Sequence, residues 1–254
     1  DGSYSIEAQV PWNVPNYAKS ALCSLSVSGG AVSTPAGGCI NADGTLSINL
    51  RKPNLSFKIV DGSGAPVPFA SVNLWIGSYN TQASAAKDGT VSLFLDSAAV
   101  AAANQGLTGP QNIFVNVWTP SENSGVVSWN CQSGDAKPLC DQLPQLTPGV
   151  DFAPTPLVLN DVVAPAPNTH VHVAYPDGTS VGGGAWVALL SIPSGCSQCR
   201  NWVGGSNTDN SGSARFNIDL SDPNLASATF AVEVHAPWNQ QGDYATAVYD
   251  NGGL

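Results

Sequence analysis

The side chains of this 254-residue chain best suited to chemistry are six cysteines, three histidines, seven tryptophans and a scatter of aspartates on turns. The cysteines fall as close neighbours: Cys23 with Cys39, Cys131 with Cys140, and Cys196 with Cys199. Six cysteines allow about 15 pairings, so connectivity stays open. Each couple brackets its own Gly-, Ser- or Pro-rich loop, which favours local disulfides. Cys196-Ser197-Gln198-Cys199 would act as a redox dithiol at a helix N-terminus, where the thiol pKa falls. It would act as half a zinc site beside a second ligand pair, for which only His170 and His172 are candidates. Its flanks, Pro193-Ser194-Gly195 and Arg200-Asn201-Trp202, read as a loop between strands, so a structural disulfide is the expectation.

Catalysis finds little to work with. A hydrolytic triad needs a nucleophile, a base and an orienting acid, and no serine sits in a nucleophile-elbow pattern. His170 and His172 share one strand face without a third ligand. No two carboxylates announce the converging pair that glycoside hydrolysis needs. Gly182-Gly183-Gly184 lies between strands with no helix after it to hold a phosphate. The expectation is therefore no catalytic residue, no metal site and no enzyme. Asp61, Asp88, Asp177, Asp209 and Asp219 put hard oxygens on loops, as calcium requires; turn chemistry explains the same residues. No cofactor is expected, with calcium the lesser reading. Flat aromatic rings can stack on sugars, and Trp118, Trp129 and Trp202 form a candidate ligand platform. Trp75 and Trp186 read as core, and Trp12 and Trp238 as a shared packing feature.

The elements that must position these residues are mostly strands. Gly (26) and Pro (19) punctuate a chain in which only 10% of residues are charged. One helix is expected from Asp96 to Gln105, capped by Asp96 or Ser97 and stopped by Gly106. The net charge of −10 argues against nucleic acid as a partner, because no basic surface exists to neutralise phosphates. No apolar run reaches the ~20 residues of a membrane helix, so this segment is not expected to insert in a bilayer. The cysteines, the scarcity of Lys and Glu and the sequon Asn54-Leu55-Ser56 fit an extracellular, cell-surface location.

Self-similarity is the strongest signal. Tyr4-Ser5-Ile6-Glu7-Ala8-Gln9-Val10-Pro11-Trp12-Asn13 aligns with Phe230-Ala231-Val232-Glu233-Val234-His235-Ala236-Pro237-Trp238-Asn239, and Ile113 to Pro120 lies between them. Pro11, Pro120 and Pro237 thus mark one strand end about every 110 residues. Pro53-Asn54 and Pro167-Asn168 each precede an alternating strand and an Asp-Gly turn, Asp61-Gly62 and Asp177-Gly178. Alternation implies one wet and one buried face per strand, hence antiparallel sheets. The expected fold is all-β: tandem Ig-like antiparallel β-sandwiches. Residues 1–50 read as the C-terminal part of one repeat, 51–160 as a complete sandwich, and 161–254 as a sandwich lacking its last strand. Pro144 to Pro167 is expected to be a semi-rigid spacer.

The order of strand, Asp-Gly turn, small-residue strand and strand ending before proline resembles carboxypeptidase regulatory-like and collagen-adhesin B-type domains. These are prealbumin-like Ig sandwiches of bacterial surface proteins. Phe57 to Leu95, with Asp61-Gly62-Ser63-Gly64-Ala65-Pro66-Val67, carries the resemblance best, and Phe230 to Tyr244 parallels the acid, proline and tyrosine strand. The resemblance implies a stalk, spacer or binding module. Some members form a Lys–Asn isopeptide beside an acid; Lys58 stands at the lysine position and Glu7 or Glu233 at the acid position, though never within one repeat. Together these readings point to a non-enzymatic extracellular structural protein of a stalk, filament or adhesin. Its expected partners are neighbouring copies or domains of itself, with head-to-tail assembly by strand addition. The competing readings are an adhesive module for surface glycan or a host protein, and accessory domains of a larger secreted enzyme.

Overall fold

The structure is a computed structural model that describes residues 1–10, 17–34, 39–105, 109–120, 125–133, 145, 157–159, 161–237, 239 and 246–249. Pro11, Trp12, Asn13, Cys140 and Trp238 of the readings above lie outside the described residues, as does Gly106. The chain packs as two compact units. One comprises Asp1–Ile59, Pro68–Val115 and Cys131–Val162; the other comprises Val60–Val67, Asn116–Asn130 and Val163–Leu254.

The architecture is all-β, in several mainly antiparallel sheets. Gly2–Ile6 (β1), Cys23–Ser28 (β2) and Ala31–Ser33 (β3) form a three-stranded antiparallel sheet in that order. Leu55–Val60 (β4), Ser71–Ile76 (β5), Tyr79–Ser84 (β6), Thr90–Leu93 (β7), the helix Ser97–Ala103 (α1), Ile113–Trp118 (β8) and Trp129–Gln132 (β9) follow. Leu157–Val158 (β10) and Val162–Val163 (β11) come next. Then Thr169–His172 (β12), Trp186–Ile192 (β13), Asn201–Asn207 (β14), Ser213–Phe216 (β15), the short helix Pro223–Ala226 (α2), Thr229–His235 (β16) and Ala247–Tyr249 (β17) run in the order of β4 to β9.

The pairings run in the same order too. One sheet is β6-β5-β8-β9 and another β14-β13-β16-β17, while β4 pairs β7 as β12 pairs β15. Inward residues alternate as the period of two demands: Leu55, Phe57 and Ile59 of β4, Val72, Leu74 and Ile76 of β5, and Ile113, Val115 and Val117 of β8 are buried. In the second unit Val187 and Leu189 of β13 and Val232 of β16 meet Ala214 and Phe216 of β15, with Val171 and Val173 against them. Those contacts join two sheets face to face, which is a sandwich.

Local hydrogen bonds recur with the strands. Asn54 Nδ2 donates to the Leu95 carbonyl at 2.8 Å, and the Leu95 N–H donates back to Asn54 Oδ1 at 2.7 Å. Asn168 does the same with Ile218, at 2.8 Å in each direction. Each asparagine thus ties the entrance of one strand to the exit of its partner. The corner before β5 holds Phe69 at φ 62°, its N–H donating to the Ala85 carbonyl just past β6, and the corner before β13 holds Gly184 at φ 98°, its N–H donating to the Thr208 carbonyl just past β14.

Several expectations need correction. The helix begins as expected, with Asp96 accepting from the Ala99 N–H, but it ends at Asn104, whose side chain bonds the carbonyls of Ile76 and Val100. The four-residue α2 was not anticipated; Asp222 caps it and Pro223 sits at its first turn. The stretch from Pro144 to Pro167 is no spacer at Leu157–Val158 and Val162–Val163, because β10 and β11 join β4 there. The sequon asparagine, Asn54, is buried and spends its amide nitrogen on Leu95. Trp75 and Trp186 are only half-buried, because Val72, Leu74 and Ile76, and Val187 and Leu189, take the inward positions of their strands. Lys58, at the lysine position of the resemblance, is exposed on β4.

Candidate ligand-binding face

Cys23 and Cys39 are disulfide-bonded with Cα atoms 5.9 Å apart, and Cys196 and Cys199 with Cα atoms 5.4 Å apart. Cys131 is a buried half-cystine. The Cys196–Cys199 loop is the tip of the β13–β14 hairpin, where the Cys196 N–H donates to Pro193 and the Cys199 N–H to Cys196. Trp202 enters β14 just beyond it.

A β-bulge decides where Trp202 points. Leu189 pairs with Gly204, but the next residue, Leu190, pairs with Trp202, so Val203 is the extra residue on β14. Val203 packs against the sandwich core. Without the bulge Trp202 would share the inward parity of Gly204; with it the ring turns to the outer face. There it stacks on Trp186 at 6.2 Å between centroids and 14° between planes. Trp118, at the end of β8, also packs on Trp186, at 5.8 Å and 42°. Three indoles therefore stand in series, within the distances at which aromatic pairs attract. Gly205 makes the room: a Cβ there would collide with both Trp186 and Trp202.

Trp202 is the open end of the series, 53% exposed. Of the three platform candidates, the structure brings Trp118 and Trp202 together around Trp186, which sequence reasoning had assigned to the core. Trp129 stands apart from them, half-buried on β9, with its indole N–H buried and without a hydrogen-bond partner. Polar groups lie on the same outer face. His235 is directly opposite Trp186 across the β13–β16 pair, and Glu233 is opposite Ala188. His235 Nε2 lies 2.6 Å from Glu233 Oε1, and its Nδ1 3.1 Å from Thr246 Oγ1. The chain of carboxylate, imidazole and hydroxyl fixes the ring's orientation beside an apolar platform.

His170 and His172 are both exposed on β12. The aspartates weighed for calcium each serve their own turn. The Oδ1 of Asp61, Asp177, Asp209 and Asp219 accepts both the hydroxyl and the backbone N–H of the Ser or Thr two residues on; Asp88 accepts the N–H of Thr90. Those bonds favour the charged form. The Ser63 hydroxyl holds the Asp61 carboxyl below its usual range, the Thr179 hydroxyl does so for Asp177, and the Thr90 N–H for Asp88. Asp209 is lowered furthest, first by the Ser211 hydroxyl and also by Arg215, with which it is ion-paired. Among the described residues no three His, Cys, Asp or Glu side chains converge as metal ligands.

No family model matches this chain, and no curated protein matches it. Among solved structures it is similar to a streptococcal ancillary pilin, 12% identical over 93% of this chain and 78% of that one, with a TM-score of 0.27. It is also similar to the Bacillus anthracis TIE protein, 11% identical over 98% of this chain and 41% of that one, with a TM-score of 0.26. Superpositions this loose carry no argument here.

Proposed function

We propose that this chain is a non-enzymatic extracellular structural protein, built of tandem Ig-like sandwiches and serving in a stalk, filament or adhesin at a cell surface. On this reading residues 1–50 end one sandwich, 51–160 form a second and 161–254 belong to a third. The observation that carries it is the recurrence of one asparagine clamp, Asn54 on Leu95 and Asn168 on Ile218, at the same step of the same strand order. A clamp that ties strand entrance to partner exit resists peeling of that strand, which a load-bearing module needs. The Cys23–Cys39 and Cys196–Cys199 disulfides fit an oxidising compartment. Pulling the chain by its two ends tests the reading. Two separate unfolding events are expected, each releasing roughly 30–40 nm, the span of about 100 extended residues. One event, or none above the noise of a collapsed chain, would refute it.

A second reading, a glycan-binding adhesive module, is favoured by one observation: Trp202 lies open on a rigid stack beside the Glu233–His235 pair. Retention on immobilised polysaccharides should then be lost in Trp202→Ala with the fold intact. Equal retention by the variant removes this reading and leaves the first untouched.

A further inference from the structure

Among the described residues, β12 lacks the second neighbour that its counterpart β4 possesses. In the first unit β4 is flanked by β7 on one edge and by the parallel strand β10 on the other, with Leu157 beside Leu55 and Val158 beside Ser56. The cover continues as the Leu159 N–H donates to the Ser56 carbonyl at 2.9 Å. Further on, the Ala164 N–H donates to the Val60 carbonyl at 2.7 Å, and Val162 and Ala164 are each 1% exposed. β12 pairs, among the described residues, with β15 alone.

Parity shows which groups face that edge. The Ile59 N–H donates to Gly89 and the Val173 N–H to Gly212, so Ile59 and Val173 hold the same place in their pairs. Ser56 and Lys58 point their backbone toward the covered edge, and His170 and His172 occupy their places. Beside His170 and His172 runs an open groove of about 680 Å³, lined by Val171, Val173, Val232, Val234 and Tyr249. Among the described residues the core beneath it is correspondingly more open. Phe57 is 2% exposed and Val117 0%, whereas Val171, Val173 and Val234 are half-buried.

The same chain carries a segment with the pattern of the missing strand. Ala18 and Arg51 exchange backbone hydrogen bonds at 2.9 and 3.2 Å where Val127 donates to Pro165 at 3.0 Å. That frame sets Ile48 and Leu50 at the places of Val162 and Ala164. Leu46 bridges Ile40 and the Ser47 N–H donates to the Cys39 carbonyl at 2.8 Å, whereas residues 48–50 belong to no strand or bridge; Leu46 is 46% exposed, and Ile48 and Leu50 are half-buried. Leu46-Ser47-Ile48-Asn49-Leu50 alternates aliphatic and polar residues and carries no charge. Among the described residues the groove lining holds no carboxylate, ammonium or guanidinium that an uncharged strand would leave unpaired.

Resting on the tandem-sandwich reading, we propose that the groove beside β12 is a strand-acceptor site that takes residues 46–50 of a second copy, parallel to β12. Each copy offers one donor and one acceptor, so the contact is heterologous and the assembly open-ended. A five-residue strand spans about 17 Å. Its contact sits near the lower limit of specific interfaces, about 1,000 Å², so assembly rises with concentration.

Sedimentation of the full 254-residue chain over a concentration series tests this. The mean mass should climb beyond a dimer. Ile48→Lys removes the donor, and His172→Pro blocks the acceptor edge at an exposed residue whose N–H is not needed by β15. Each variant alone should sediment as a monomer with an unchanged thermal midpoint, and their mixture should give a dimer and nothing larger. A chain that stays monomeric throughout, including one that fills the groove with its own residues, overturns the proposal. So does a growing assembly indifferent to Ile48→Lys, or a mixture that stays monomeric. A monomer that still shows two unfolding events under force would leave the tandem-sandwich reading standing while the assembly falls.

Discussion

Asn54 is uncharged and holds the two ends of a strand pair together. Its amide satisfies both the N–H and the C=O of Leu95, in a site where water cannot replace it. Asn54→Ala should therefore cost about 1–3 kcal/mol, the penalty for leaving buried backbone groups unpaired. Asn168→Ala should cost clearly less, because Asn168 is exposed and water can take over its bonds to Ile218. Denaturant midpoints of the two variants check the order; equal losses would show that the clamp's burial is irrelevant. The Pro-Asn spacing was visible in the sequence as a repeat. Its purpose was not, since an asparagine two residues before a serine reads equally as a glycosylation site. The aspartates were more legible: Asp followed two residues later by Ser or Thr, at 43, 61, 88, 177, 209 and 219, describes a self-satisfied turn.

At the level of elements, strand existence and order followed from alternation, while the tryptophan stack did not. Alternation along Asn201–Asn207 is interrupted by one extra residue, Val203, and nothing in Trp-Val-Gly-Gly announces which residue will bulge. The glycines are the trace the sequence leaves, and they differ in meaning. Gly205 lies under Trp186 and Trp202, whereas a Cβ at Gly204 would touch Phe216 at 3.7 Å, an ordinary contact. Gly205→Ala should therefore displace the indoles, change the tryptophan emission and cost about 1–3 kcal/mol through overpacking. Gly204→Ala should leave the emission as it is. Identical spectra for the two variants would mean the stack does not rest on Gly205. The strands β10 and β11 were missed for a related reason: six prolines from Pro144 to Pro167 outweighed Leu157-Val158-Leu159 and Val162-Val163 as a signal.

For the whole molecule, the turn carboxylates set how folding responds to acid. Asp43, Asp61, Asp88, Asp177 and Asp209 all have folded pKa values below 3.8. Above that value both folded and unfolded chains are ionised at these sites, and the turn bonds contribute in full. As pH falls below it the unfolded chain takes up protons first, so stability drains away through the lower folded pKa values. The net charge of −10 acts in the opposite sense, since protonation relieves repulsion among the acids. Comparing two chains separates the effects, because Ser211→Ala preserves the charge and removes the largest cause of the Asp209 depression. The thermal midpoint of both should hold between pH 7 and about pH 4 as far as these groups decide it, then decline. The decline should be shallower in Ser211→Ala, which has less to lose, so the two curves should approach one another as acid is added. Curves that stay parallel down to pH 2 would show that the Asp209 turn carries no linked stability, and that the repeated Asp-x-Ser/Thr corners shape the chain without holding it.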